Sequence, residues 1–212
     1  DELHVGGGMG GGAGKDAGVF LGVVWSGDPG QAEKLLAPVR KAGTVVRENV
    51  RSVDYVALQR SGDYDDPRAF SGYMTSGLTG TVTTSLGDDL VDNFEHRPER
   101  STRVVLQQSG GAIGRVAEDA TAFAHRESKH NMLSFVSWKF GEDGSEHVNY
   151  IKSHWAQLEP YTRGFYTNDL FAEGTSVINA NYRGNYNRLL QIKQQYDPGN
   201  LFRLNANIRP ES

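Results

Sequence analysis

An α+β fold, one antiparallel sheet with helices packed on one face, is what this sequence predicts, and three observations carry the prediction. Strand-like segments outnumber helical ones and arrive partly as hairpins, an order that gives antiparallel pairing. The stretch Met132-Leu-Ser-Phe-Val-Ser-Trp-Lys-Phe140 alternates between two faces, as a strand does. The stripe Val148, Ile151, Trp155 and Leu158 has the period of a helix that buries one side.

Taken in order, Leu3 to Met9, a glycine-rich tip, and Gly18 to Trp25 read as two strands of a hairpin. Asp28 caps a helix with Pro29 at its first position, apolar residues at Leu35, Leu36 and Val39, and Gly43 beyond its end. Thr44 to Val50 has the β-branched composition of a strand, Val53 to Gln59 fits a short helix, and Asp63 to Pro67 has turn chemistry. Phe70 to Thr75 fits another strand. The pattern from Thr81 to Phe94 is helical and Pro98 closes it. A strand from Val104 to Gln108 ends in Gly110-Gly111, and a helix from Ser145 to Leu158 ends before Pro160. A last helix spans about Ser176 to Tyr196 and is stopped by Asp197-Pro198-Gly199, ahead of an extended tail from Leu201 to Pro210.

A chain of 212 residues buries about 70% of its unfolded surface, enough for a core without staples. Hydrophobic content of 37% and a mean hydropathy of -0.53 fit a soluble globular protein, and no apolar run approaches the roughly 18 to 20 residues of a membrane span. The opening Asp-Glu-Leu-His is unlike a signal peptide. The absence of cysteine excludes disulfides, thiolate metal sites and flavin linkage through sulfur, and leaves the compartment open. A net charge of -4 argues against a nucleic-acid groove, and the locally basic stretch from Ser176 reads as a solvated helix face.

Several motifs fail on physical grounds. Gly6-Gly-Gly8-Met-Gly-Gly11 has dinucleotide-binding spacing, but Gly12-Ala-Gly14-Lys15-Asp16 and a strand follow where a helix N-terminus would be needed, so a hairpin tip is predicted. Gly14-Lys15 lacks the remainder of a phosphate loop. His125, His130, His147 and His154 lack ligand spacing for zinc and read as surface or capping residues, so no metal is expected. A Gly-x-Ser-x-Gly nucleophile elbow is missing.

The ending Tyr196-Asp-Pro-Gly-Asn-Leu-Phe-Arg-Leu-Asn-Ala-Asn-Ile-Arg-Pro210 resembles the closing signature of berberine bridge enzyme-like FAD-linked oxidases. Upstream, Gly184-Asn-Tyr-Asn-Arg-Leu-Leu-Gln-Ile-Lys193 resembles the helix that leads into that signature, and Tyr166-Thr-Asn168 a Tyr-x-Asn strand. Gln107-Gln-Ser-Gly-Gly-Ala-Ile-Gly-Arg-Val116 and Asp119-Ala-Thr-Ala-Phe-Ala-His-Arg126 are similar to two further family motifs. The resemblance implies a sheet of about seven strands backed by helices, with the tail returning to the flavin side. It also implies a substrate-binding domain over 1–160 and a berberine-like segment over 161–212 packed with it as one unit. The family's N-terminal FAD-binding domain, with the histidine that carries its cofactor, has no counterpart in these residues.

By the same resemblance Tyr166 is the candidate catalytic base, since a phenol held in place beside a flavin can take a substrate proton. Asn168, Asn185, Asn205 and Asn207 offer the donors and acceptors that the polar edge of a flavin ring needs, with Tyr186 beside them. Asn185 and Asn205 serve equally well as caps or turn residues, and Tyr186 is at helical spacing for the core. Tyr73, Gln107, Phe135 and Ser137 are expected to line a substrate pocket from the strands, with a phase that one residue's slip would reverse. Where the family places a carboxylate or tyrosine to assist the base, Val136 and Ser137 offer neither. The expected function is the substrate-binding half of an FAD-dependent oxidoreductase acting on a small-molecule alcohol, sugar or natural product. The alternative is a stand-alone domain without flavin, acting as a cyclase, isomerase or small-molecule binder. A separate FAD-binding domain or a second copy is expected to cover the face that carries Tyr166, Asn168 and Tyr186.

Overall fold

A computed structural model describes residues 2–11, 18–63, 66, 68–95, 101–169 and 174–210. Strands β1 (Leu3–Gly11), β2 (Gly18–Trp25), β3 (Phe70–Thr79), β4 (Ser101–Gln108) and β5 (His130–Lys139) form one sheet in the order β2-β1-β4-β5-β3. Every neighbouring pair is antiparallel. The helices are α1 (Ala32–Arg40), α2 (Tyr55–Arg60), α3 (Thr84–Glu95), α4 (Ser145–Leu158), α5 (Thr175–Asn181) and α6 (Tyr186–Tyr196). The α+β class and the antiparallel sheet are therefore as the sequence predicts.

Five strands stand among the described residues where about seven were expected. Thr44–Val50 is coil, and Val46 is 96% exposed. β-branched composition favours a strand only where a sheet neighbour supplies the packing, and this segment has none. Tyr166-Thr-Asn168, expected as a strand, instead enters a 3-10 turn over Thr167–Asp169. The glycine run is corrected in the other direction. It is not a tip: Gly7, Gly8 and Gly10 are paired to both β2 and β4 within β1. A side chain at Gly8 would start 2.0 Å from the Val104 carbonyl oxygen, so the glycine permits a close approach of strands. The Gly12 to Asp16 stretch, Pro98 and part of the Asp63–Pro67 turn lie outside the described residues.

The last predicted helix is broken in two. Arg183 takes φ 49°, a left-handed conformation that stops the ladder after α5, and a 3-10 turn over Arg183–Asn185 leads into α6. Asp197 then ends α6 by accepting hydrogen bonds from the Leu201 and Phe202 amides, and its carboxylate meets Lys193. This orders a tail whose Leu201, Phe202 and Leu204 remain exposed.

The core lies between one face of the sheet and helices α3 and α4. Leu86 and Leu90 of α3 and Leu158 of α4 close on Val104 and Met132, with Met9, Leu106, Trp155 and Tyr161 around them. On α4 the buried stripe is His147, Ile151, His154 and Leu158. The histidines read from sequence as surface groups are thus core residues, because two apolar side chains alone cannot complete a helical stripe. His125 is also buried, whereas His130 is half-buried and bonds the Gly80 carbonyl through Nδ1. Met132 is fully buried at the centre of this contact, so Met132→Ala is expected to cost about 2 to 5 kcal/mol. Urea denaturation should show that loss as a lower midpoint with an unchanged slope.

Candidate functional site

Cross-strand partners in an antiparallel sheet point to the same side, so the register assigns every side chain a face. Tyr73 pairs with Val136, and Val104 pairs with Ser134, whose hydroxyl contacts His154 of α4. This side is the helix-covered one. Gln107 pairs with Asn131 and Arg103 with Phe135, and these belong with Ser137 on the opposite, open face. Three of the four predicted pocket residues, Gln107, Phe135 and Ser137, therefore share a face. Tyr73 does not join them: it lies on the helix side, with the Lys152 ammonium 5.9 Å from its ring centre.

Tyr166 comes to the open face from a loop at the sheet edge. Thr162 bridges to Thr79, the Arg163 amide donates to Leu78 O at 2.8 Å, and the Leu78 amide donates to Gly164 O at 2.7 Å. This short ribbon extends the sheet beyond β3 before the chain turns across it. The Asp169 amide closes the 3-10 turn on Tyr166 O at 3.0 Å, and the Asp169 carboxylate accepts from Asn131 Nδ2 at 2.7 Å. Asn131 Nδ2 is also 3.5 Å from Gln107 Oε1. The turn that carries Tyr166 and Asn168 is thereby tied to β4 and β5. Asn168 Nδ2 donates to the Tyr166 phenol oxygen at 2.8 Å, and Tyr166 is 41% exposed.

Around this turn the Phe123 ring meets Tyr166 edge-on at 6.5 Å, and the Arg126 guanidinium lies 5.1 Å from the Phe123 ring centre. His125 follows behind Phe123 at 5.9 Å. Its ring is pushed below the ordinary histidine pKa by burial, and the Arg183 charge acts in the same direction.

The other predicted cofactor residues are placed elsewhere. Asn185 is buried and spends both amide hydrogens on the carbonyls of Glu118 and Thr121. The Tyr186 hydroxyl accepts from Asn179 Nδ2 at 3.0 Å. Asn205, at φ 60°, accepts from the Asn207 amide in the tail, and Asn207 Oδ1 is buried with no partner among the described residues. The hydrogen bonds of Asn185 and Tyr186 run to the 118–121 loop and to α5, not to the Tyr166 turn. Asn131, Asp169, Phe123 and His125 were missed as site residues. Asn131 had a signal, because carrying the β5 alternation back by one residue puts it in phase with Leu133, Phe135 and Ser137; Asp169 had none beyond its closeness to Tyr166. Among the described residues no group of three or more histidines and carboxylates could hold a metal ion.

The family model described as berberine and berberine like matches residues 176–209, the segment that holds α6 and the tail. An FAD-linked oxidoreductase of Dictyostelium discoideum is 26% identical over 195 residues, which cover 91% of this chain and 43% of that protein. The uncharacterized FAD-linked oxidoreductase YgaK of Bacillus subtilis is 28% identical over 186 residues, covering 85% of this chain and 40% of its own. The chain thus spans less than half the length of these curated relatives. A solved chitooligosaccharide oxidase shares the fold with a TM-score of 0.80 at 20% identity, over 100% of this chain and 49% of that one. In its closing segment the chain matches the berberine and berberine like model, along most of its length it is similar to FAD-linked oxidoreductases, and it shares the fold of a solved oxidase of this kind.

Proposed function

We propose that this chain is the substrate-binding half of an FAD-dependent oxidoreductase that oxidises a small-molecule alcohol, sugar or natural product on the open face of the sheet. Residues 1–160 form the substrate-binding part, and 161–212 the C-terminal segment packed with it as one unit. The observation that carries the reading is the Tyr166 turn, held over the open face by the Asp169 to Asn131 bond. An exposed phenol on a turn that Asn131 ties to Gln107 and β5 is where a substrate hydroxyl can meet both a base and a hydrogen-bonding wall.

The residues present suit a flavin in one respect that the geometry itself supplies. Asn131 Oδ1 and Asn207 Oδ1 are buried acceptors with no partner among the described residues, and a flavin ring edge or a substrate hydroxyl offers the donors they lack. Asn168 on the Tyr166 turn and Asn207 and Asn205 in the tail would hold the ring edge, while Asn185 and Tyr186, bonded to the 118–121 loop and to α5, would support it from farther off, Asn185 through its side-chain oxygen alone. The cofactor would accept hydride from the substrate carbon. The Tyr166 oxygen would take the proton of the substrate hydroxyl, and Asn168 fixes the position of that oxygen by donating to it. Gln107, Phe135 and Ser137 orient the substrate, the Phe135 ring being itself overlaid by Arg103 at 5.8 Å.

The exposed tail residues and the open face are where a separate FAD-binding domain would close over the substrate. Titration of the purified chain into FAD tests the reading. Visible circular dichroism of the flavin should appear on mixing and saturate, and it should weaken in Asn207→Ala. A flavin spectrum that stays unperturbed at every chain concentration would count against the reading and favour a domain without flavin.

A further inference from the structure

Four consecutive residues, 163–166, are each met by a different side chain from the second half of the molecule, and two of them are held by hydrogen bonds to their backbone. Arg183 Nη2 donates to Arg163 O at 3.0 Å. Gly164, at φ 118°, lies against the His125 ring so closely that a side chain there would start 2.2 Å from His125 Cε1. Phe165 is held at both ends by one amide, its N–H donating to Asn181 Oδ1 at 3.0 Å and its carbonyl accepting from Asn181 Nδ2 at 3.1 Å. Tyr166 then meets the edge of Phe123.

The two bonds to Phe165 fix which way the Asn181 amide points, because reversing it would set donor against donor and acceptor against acceptor. His125 Nε2 lies 2.9 Å from Asn181 Oδ1 and 2.9 Å from Asn181 O, both acceptors. It must therefore carry the proton, and Nδ1 is the bare nitrogen, buried with no partner among the described residues. The ring so oriented locks the amide, and the amide locks Phe165. Asn181 and His125 are buried, so water does not compete for these bonds.

We propose that Asn181, keyed by the Nε2–H form of His125, is a positioning residue that sets where the Tyr166 phenol stands on the open face. The proposal rests on the reading of Tyr166 as the base. It explains why the last helix is broken: the left-handed Arg183 ends α5 at the residue pair that reaches back to 163–165. It also gives residues 123–125 a purpose beyond packing, since Phe123 and His125 touch opposite ends of the same short segment.

The chain labelled with fluorotyrosine carries nine reporters, and the resonance lost in Tyr166→Phe is that of Tyr166. In Asn181→Leu, which keeps the volume and removes both bonds, that resonance should shift and broaden while those of Tyr73 and Tyr150 on the helix face stay put. Asn181→Asp keeps the acceptor for Phe165 and His125 and should displace the same resonance less. In the flavin-loaded protein both variants should lower kcat more than they raise KM, the leucine variant by about tenfold or more. A Tyr166 resonance unmoved in folded Asn181→Leu overturns the proposal; should that variant not fold, an unmoved resonance in Asn181→Asp overturns it equally. If Tyr166→Phe leaves turnover intact, the base assignment fails, while the fluorine signal still decides whether Asn181 positions the ring.

Discussion

Tyr166→Phe is expected to lower turnover of the flavin-loaded protein by about 100- to 10,000-fold, the range lost when a positioned general base is removed. The substitution deletes one oxygen and keeps the ring that meets Phe123, so the turn should hold its place. The Asn168 amide loses its acceptor, but it is exposed and water can replace the phenol. KM should therefore change little, because an interaction made in the transition state is removed without uniform binding. The measurement is anaerobic flavin bleaching in single turnover, with whichever member of a panel of sugars and ring alcohols reduces the wild-type protein. Bleaching at the wild-type rate would assign the proton to another group, and Asp169, tied to Asn131 on the same face, would be the first to replace.

The parts of this fold that were legible in the sequence are those decided by local periodicity. The hairpin of β1 and β2 and helix α4 follow from alternation, turn residues and a stop before Pro160, none of which depends on distant contacts. Thr44–Val50 shows the limit, since its β-branched residues have no sheet neighbour and stay exposed. Tyr73 shows another: its strand was recognised, but the face was set by pairing with Val136, sixty-three positions along the chain (136 minus 73). For the candidate site, the motif residues pointed to Tyr166 and Asn168 while giving the wrong local structure, a strand in place of a loop and 3-10 turn. Asn181 carried no signal at all. Its role is created by the close approach of Gly164 to His125, which brings together segments that no sequence window contains.

Acid should loosen the contact between α4 and the sheet through His154. The residue is buried against β5, with Nδ1 3.2 Å from Ser134 Oγ, the Tyr150 ring stacked 5.8 Å away and Nε2 without a partner among the described residues. Burial lowers its pKa from 6.5 to about 4, because the imidazolium would have to give up its hydration. The unfolded chain thus binds this proton first as pH falls. Stability from the neutral ring is fully present above the unfolded value of 6.5, declines as pH drops toward about 4 and levels off below it. At 1.36 kcal/mol per unit, the loss is roughly 3 kcal/mol across that window. His125, also lowered, and the carboxylates lowered by hydrogen bonds at Asp143 and Asp197 add their own pH dependence, but they are present in a variant as well. Comparing wild type with His154→Leu by urea denaturation at a series of pH values therefore isolates the one ring. The leucine variant should lose roughly 3 kcal/mol less than the wild type across that window, and parallel losses in the two proteins would rule out His154 as the acid-sensitive group.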